Sequence, residues 1–151
     1  MKLSIPEILE LVVAAPTKAE KISTLQKYNS TTLQQILRLN FDPNVVIDLP
    51  PGPAPYKADR DIPVELSQSN LYNEARRLYL FEVGHPKRPA SLKKMQQENI
   101  WIQILEGCHH TEADMLNLVK DKKLSSDYKG LTEALVREAF PALLSEKVSK
   151  K

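Results

Sequence analysis

Apolar residues recur three and four positions apart over most of this chain, the spacing that gathers them on one face of a helix. Ile5, Ile8, Leu9, Val12 and Val13 form the first stripe, and Ser4 with Glu7 three residues on is a capping box that starts it. Pro16 breaks the chain. Thr17 and Glu20 then repeat the start signal for a second stripe through Ile22 and Leu25 to Tyr28. Ser30-Thr31-Thr32 opens a third helix carrying Leu33, Ile36, Leu37 and Phe41. Three amphipathic helices joined by short loops predict a packed helical unit.

The period then disappears and returns. Between Pro43 and Pro63 lie six of the chain's 11 prolines, including the run Pro50-Pro51-Gly52-Pro53-Ala54-Pro55. Proline lacks the amide donor and restricts its predecessor, so residues 42–66 are expected to be extended or polyproline-like, with Val45-Val46-Ile47 docking as a short extended segment. A domain linker is the other reading. Neither flanking piece looks large enough to be stable alone, which favours a surface connection inside one domain. From Ser67 the helical period resumes through Leu71, Ala75, Leu78 and Phe81. A basic connector, His85-Pro86-Lys87-Arg88-Pro89, precedes a helix expected from Ser91 with Met95, Ile102 and Leu105 inward and Gly107 as its stop. Thr111 is expected to cap the next helix, with Glu112 and Asp114 in its first turn and Met115, Leu116 and Val119 inward. Thr132 starts a last helix through Leu135, Val136 and Phe140, closed by Pro141, with Leu131 and Val136 as a hydrophobic staple. The fold class expected is all-α: about seven short helices in one domain, 1–144, followed by a basic flexible tail, 145–151.

Composition narrows the function classes. A chain of 151 residues is one domain's worth and buries enough surface to fold without a metal or disulfide. Four glycines leave little material for a phosphate-cradling loop, and one cysteine excludes an internal disulfide and fits a reducing compartment. Pro6, Glu7 and Glu10 interrupt the apolar start, so it lacks a signal-peptide core, and no window approaches 18 uncharged apolar residues. A soluble, cytoplasmic protein with no membrane partner is expected. The balance of 21 basic and 19 acidic residues, net +2, does not by itself demand a polyanion.

Cys108-His109-His110 with Glu112 and Asp114 is the cluster closest to metal-ligand chemistry. Adjacent ligands in one loop cannot easily converge on one ion, and no second Cys or His group completes a shell, so no metal is expected. The same crowding argues against a Cys–His nucleophile, no Gly-x-Ser-x-Gly elbow occurs, and the acidic residues are scattered. Neither catalysis, a small-molecule substrate nor a cofactor is expected. The basic residues form three groups: Lys87, Arg88, Lys93 and Lys94; Lys120, Lys122, Lys123 and Lys129; and the tail Lys147, Lys150 and Lys151. Cations beside helix starts suit phosphate, whereas plain solubility is the competing use, and residue types alone do not separate the two. Aromatic residues do not interleave with these groups, which disfavours a single-strand stacking platform.

The segment from Lys129 through Gly130, Leu131, Thr132, Glu133, Ala134, Leu135, Val136, Arg137, Glu138, Ala139, Phe140, Pro141, Ala142 and Leu143 to Leu144 resembles the end of the N-terminal all-helical DNA-binding domain of phage-type ATP-dependent DNA ligases. Thr17-Lys18, Leu25-Gln26-Lys27 and Leu33 through Arg38-Leu39-Asn40-Phe41 are similar to that domain's early helices, and the order of elements agrees over residues 4 to 144. The whole chain also resembles an uncharacterised family of small proteins from T-even-like phages and cyanophages, which implies an infected host cell as its setting. Ligases need a nucleotidyl-accepting lysine in K-x-D-G; Lys57-Ala58-Asp59-Arg60 lacks the glycine, and the chain ends where a catalytic domain would begin, so ligation is not expected. The resemblance implies a grip on duplex DNA through backbone and minor groove, with Gly130, Thr132, neighbouring Lys129, and Lys18 by type. Lys87, Arg88, Lys93, Lys94, Lys122 and Lys123 are added from the basic groups. The expected function is a non-catalytic accessory protein that binds duplex DNA without strong sequence preference in replication, repair or transcription. The alternative is a protein-interaction module that modulates a host or phage enzyme, with the proline-rich stretch as docking segment.

Overall fold

Side-chain caps set most of the helix starts. In the computed structural model, which describes residues 3–50, 52, 54, 56 and 69–144, α1 (Ile5–Ala14) begins at Ser4, whose amide donates to Glu7 Oε1 at 2.8 Å in the expected capping box. Thr17 caps α2 (Lys18–Lys27) and Ser30 caps α3 (Thr31–Phe41), each accepting from an amide three residues on. The later helices are α4 (Leu71–Glu74), α5 (Lys94–Gly107), α6 (His110–Lys120), α7 (Leu124–Asp127) and α8 (Glu133–Ala139). The fold is all-α, and the described residues include no strand beyond one isolated antiparallel bridge, Ile47 with Glu82.

α6 is the hub. It packs against α1, α3, α5 and α7, while α2 packs on α1 and α8, and α3 reaches α8. The apolar stripes meet here: Leu9, Leu33, Leu37, Ile104, Leu105 and Leu116 are wholly buried in one cluster. Burying each such side chain stabilises the fold by roughly 1.5–3 kcal/mol. Phe81 and Trp101 join it edge-to-face with ring centroids 5.0 Å apart. Leu131 and Val136 are both fully buried, as a staple at the start of α8 requires.

Several local expectations are corrected. Leu71, Ala75, Leu78 and Phe81 all face inward, but only Leu71–Glu74 is α-helical, and Ala75–Phe81 tightens into a 3₁₀ helix. Side-chain amides hold that tighter backbone from both sides: Gln35 Nε2 donates to Ala75 O at 3.0 Å and Gln97 Nε2 to Leu80 O at 3.2 Å. Asn70 caps α4, and the start expected at Ser67 lies outside the described residues, as do 51, 53, 55, 57–68 and the tail. α5 starts at Lys94 rather than Ser91. Met95 is 74% exposed, and the buried row is Gln97, Trp101, Ile104 and Leu105. Gln97 hides in an apolar row because its amide has a carbonyl to bond.

Gly107 ends α5 but takes no left-handed conformation. The chain leaves extended through Cys108 and His109 and enters α6 directly. His109, not Thr111, caps α6: its Nδ1 accepts from the Thr111 amide at 3.3 Å. The four-residue α7 fills what the sequence presented as a polar turn. Its first amide, on Leu124, is taken by buried Asn40 Oδ1 at 3.1 Å, a contact 84 residues away in sequence.

Val45 is buried, and Val46 to Asp48 lie extended beside Phe81 to Val83, with Asp48 N to Phe81 O at 2.7 Å and Val83 N to Val46 O at 2.9 Å. Farther on, the described residues of the proline-rich stretch are held to α6 and its C-terminal cap. Lys120 Nζ donates to Pro50 O at 2.6 Å, and Gly52 N donates to Asp121 Oδ2 at 3.1 Å. Ala54 exchanges both backbone bonds with the Asn117 amide, at 3.1 and 3.2 Å, and the Tyr56 hydroxyl donates to Asp114.

Candidate functional site

The structure sorts the basic residues into those engaged internally and those open to solvent. Arg88 lies in the first class. Its guanidinium bonds Asp48 Oδ2 at 2.6 Å and Glu82 O at 3.3 Å. Lys94 reaches the other oxygen of Asp48 at 3.1 Å. Hydrogen bonds from Arg88 and then Lys94 hold the Asp48 carboxyl below its ordinary pKa. These contacts tie the basic connector to the extended segment 46–48. Lys18 is ion-paired with Glu138, joining α2 to α8. Lys122 takes a left-handed backbone, φ 59°, and its Nζ donates to Asp42 O at 2.6 Å; burial lowers its pKa. Lys120, from the same sequence group, has a side chain only 2% exposed, and its Nζ donates to Pro50 O and Asp121 Oδ1.

Lys87, Lys93, Lys123 and Lys129 are exposed, and their side chains make no ion pair among the described residues. Lys87 and Lys93 flank the start of α5. The Lys87 amide donates to His85 Nδ1 at 3.1 Å, which folds the connector back on itself. Beside it lies a polar concavity of about 270 Å³ lined by Gly84, His85, Arg88, Pro89, Ala90 and Leu92. Among the described α-helices longer than four residues, α5 alone has no acceptor on its N-cap side chain, although Gln96 Oε1 accepts from the Lys93 amide at 2.9 Å. Lysine has no acceptor to offer, so the first-turn amides of α5 keep their partial positive charge beside exposed lysines.

The start of α8 is built differently. Gly130 has φ +96°, a conformation that glycine adopts without strain, and a Cβ there would come within 3.2 Å of Lys21 Cε. Thr132 uses its hydroxyl oxygen to accept from the Leu135 amide at 3.2 Å, so that acceptor serves the helix. Lys129 remains exposed beside it. α8 packs on α2 and α3, whereas α5 packs on α6, so the two candidate groups belong to different helix pairs. Lys123 stands apart again, at the start of α7.

Cys108, His109, Glu112 and Asp114 in the Cys108–Asp114 run each have a place in the packing or hydrogen bonding of the fold. Cys108 is buried and burial drives its thiol pKa upward, away from the reactive thiolate. His109 caps α6, and Asp114 accepts from Tyr56. Glu112 is 1% exposed. The Leu71 amide donates to its Oε2 at 3.2 Å, while Oε1 has no hydrogen-bond partner among the described residues. Burial raises its pKa to about 6, against the Leu71 and His109 amides, which favour the charged form. Among the described residues no group of three or more His, Cys, Asp and Glu side chains is placed to hold a metal ion, and no helix is long and apolar enough to cross a membrane.

Sequence reasoning missed the acidic partners that decide which cations are available. Asp48 is isolated in sequence from Arg88 and Lys94, so no spacing rule finds it. It also missed an exposed apolar pair, Val46 and Val83, because alternation over two or three residues is too short to read.

Residues 8–126 match the family described as a family of unknown function (DUF6433), and the chain belongs to that family. No curated protein matches the chain.

Proposed function

We propose that the protein is a non-catalytic phage accessory protein that contacts the phosphate backbone of duplex DNA without strong sequence preference, in support of replication, repair or transcription. The observation that carries this reading is the start of α5. Uncapped amides at the positive end of a 14-residue helix stand beside exposed Lys87 and Lys93 and an open polar concavity. That combination suits a phosphate oxygen, since the amides and the helix dipole act in the same direction as the lysine charges. The resemblance to the ligase DNA-binding domain supports the same reading and adds Lys129 ahead of α8. Phosphate contacts position a protein and carry no sequence information, so little base readout is expected.

Arg88 serves a different purpose from the one its sequence neighbours suggest. It positions the connector through Asp48, and of its basic group Lys87 and Lys93 are the ones without an ion pair among the described residues. Fluorescence anisotropy with a mixed-sequence duplex at low salt tests this division. Lys87→Ala with Lys93→Ala is expected to weaken binding about tenfold, from two lost phosphate contacts, while leaving the thermal midpoint unchanged. Arg88→Ala is expected to lower both affinity and thermal midpoint. Unchanged affinity in the double lysine variant would remove the α5 start from the reading.

A further inference from the structure

Asp114, Asn117, Lys120 and Asp121 stand three and four positions apart, so they share one face across α6 and its C-terminal cap. Each of them is bonded to the proline-rich stretch. Lys120 Nζ donates to Pro50 O, Asp121 Oδ2 accepts from Gly52 N, the Asn117 amide exchanges two bonds with Ala54, and Asp114 accepts from the Tyr56 hydroxyl. Only the last of these contacts uses a side chain of the stretch; the others grip its backbone. Two of the gripping groups are buried, Asn117 at 7% exposed and the Lys120 side chain at 2%. Each would lose a bonding partner if the face stood open, and a buried polar group without its partner is costly. The run Pro50-Pro51-Gly52-Pro53-Ala54-Pro55 carries backbone N–H groups only at Gly52 and Ala54, and both are spent on this face. Gly52 holds φ +87°, a conformation that a side chain would strain.

We propose that this face of α6 is a binding site for a proline-rich segment of a partner protein, held by the chain's own Pro50, Gly52, Ala54 and Tyr56 until such a segment displaces them. The present occupant defines the chemistry that fits. Carbonyl and amide groups of the ligand backbone meet Lys120, Asn117 and Asp121, glycine takes the left-handed position, and a phenol reaches Asp114. Proline at the intervening positions brings no further donor and fixes φ in advance, so less conformational freedom is lost on binding. Tethering selects a partner protein over a second copy. The stretch is fixed to its own body on both sides, at Asp48 by Arg88 and Lys94 and at Ser69, whose amide donates to Gly107 O at 2.7 Å. It therefore meets its own α6 at high effective concentration. An identical segment from a second copy brings the same contacts without the tether and loses to it, whereas a partner segment with a better fit wins. The site shares no residue with the phosphate contacts proposed above and does not depend on them.

A fluorescein-labelled peptide with the sequence of residues 49–57, titrated with the full chain and followed by anisotropy, tests the proposal. Wild type is expected to bind it weakly, because the tethered segment competes. Ala54→Pro/Tyr56→Phe removes an amide and a hydroxyl from the resident segment and is expected to bind the peptide about tenfold more tightly than wild type. Adding Asn117→Ala to that variant is expected to abolish the gain. Tyr56→Phe alone, with a gain of several-fold, serves if the double variant fails to fold by circular dichroism. Peptides with alanine in place of every proline, or in place of the glycine, are expected to bind the opened variant several-fold more weakly. Panning a random-peptide display library on that variant is expected to enrich sequences containing proline and glycine. No peptide binding by the opened variants, equal binding by wild type, or a gain that survives Asn117→Ala would overturn the proposal. So would equal binding of the alanine peptides or enrichment of sequences without proline. A concentration-dependent dimer of wild type that excess peptide dissociates would assign the face to a second copy's segment and overturn it equally.

Discussion

Glu112 illustrates how a residue's surroundings change the meaning of its type. At the third position of α6 an acidic residue is ordinarily a solvated partner for the helix dipole. Here it is enclosed, with one oxygen bonded by the Leu71 amide and the other without a hydrogen-bond partner among the described residues. Its pKa rises from 4.5 to about 6, so between those values the folded state holds a proton that the unfolded chain has released. Stability from this group is therefore fully present below pH 4.5, falls as pH rises through 6, and stays reduced above that. The shift corresponds to about 2 kcal/mol at neutral pH. Glu112→Gln keeps an acceptor for Leu71 and removes the charge. Urea unfolding across pH 4 to 8 is expected to show the variant more stable by about 2 kcal/mol at pH 7 and equal to wild type near pH 4. A destabilised variant at pH 7 would show that the carboxylate charge is needed.

The helices with regular stripes and Ser or Thr caps were legible from sequence, because both signals are local: α1, α2, α3 and α8 begin at the residues their caps indicate. Elements held by distant side chains were not. The 3₁₀ segment depends on Gln35 and Gln97, and α7 depends on Asn40, none of which is near in sequence. The all-α class and the extended character of residues 45–48 were readable, but the pinning of Pro50 to Tyr56 along α6 was not, since nothing in a proline run names Asn117 or Lys120 as its partners. The same limit applied to the candidate site: clustering of lysines was visible, and their engagement by Asp48, Glu138 and Asp42 was not. Asn117 holds the proline-rich stretch as a strap on α6 by bonding both backbone groups of Ala54. Asn117→Ala is expected to raise the exchange rate of the Ala54 amide at least tenfold, and to cost about 1–3 kcal/mol overall because the Trp101 indole loses the same oxygen. Hydrogen exchange followed residue by residue checks this; unchanged protection at Ala54 would mean the strap is held elsewhere.

At the scale of the whole molecule the net charge is +2, and several of the described cations are engaged internally. Internal pairing narrows the candidates to Lys87 and Lys93 at the start of α5, Lys129 ahead of α8 and Lys123 beside α7. On the proposed reading, binding to duplex DNA is expected to be weak and to have a shallow salt dependence, since each neutralised phosphate contributes a slope of about −0.9 in log affinity against log salt. The most direct measurement is a salt titration of wild-type binding to a mixed-sequence duplex, repeated with Lys87→Ala/Lys93→Ala. A slope of about −3.6 for wild type, reduced in magnitude by about 1.8 in the double variant, is the result predicted here. Binding that does not change with salt, a slope that the double variant leaves intact, or no detectable binding at 50 mM salt would contradict it.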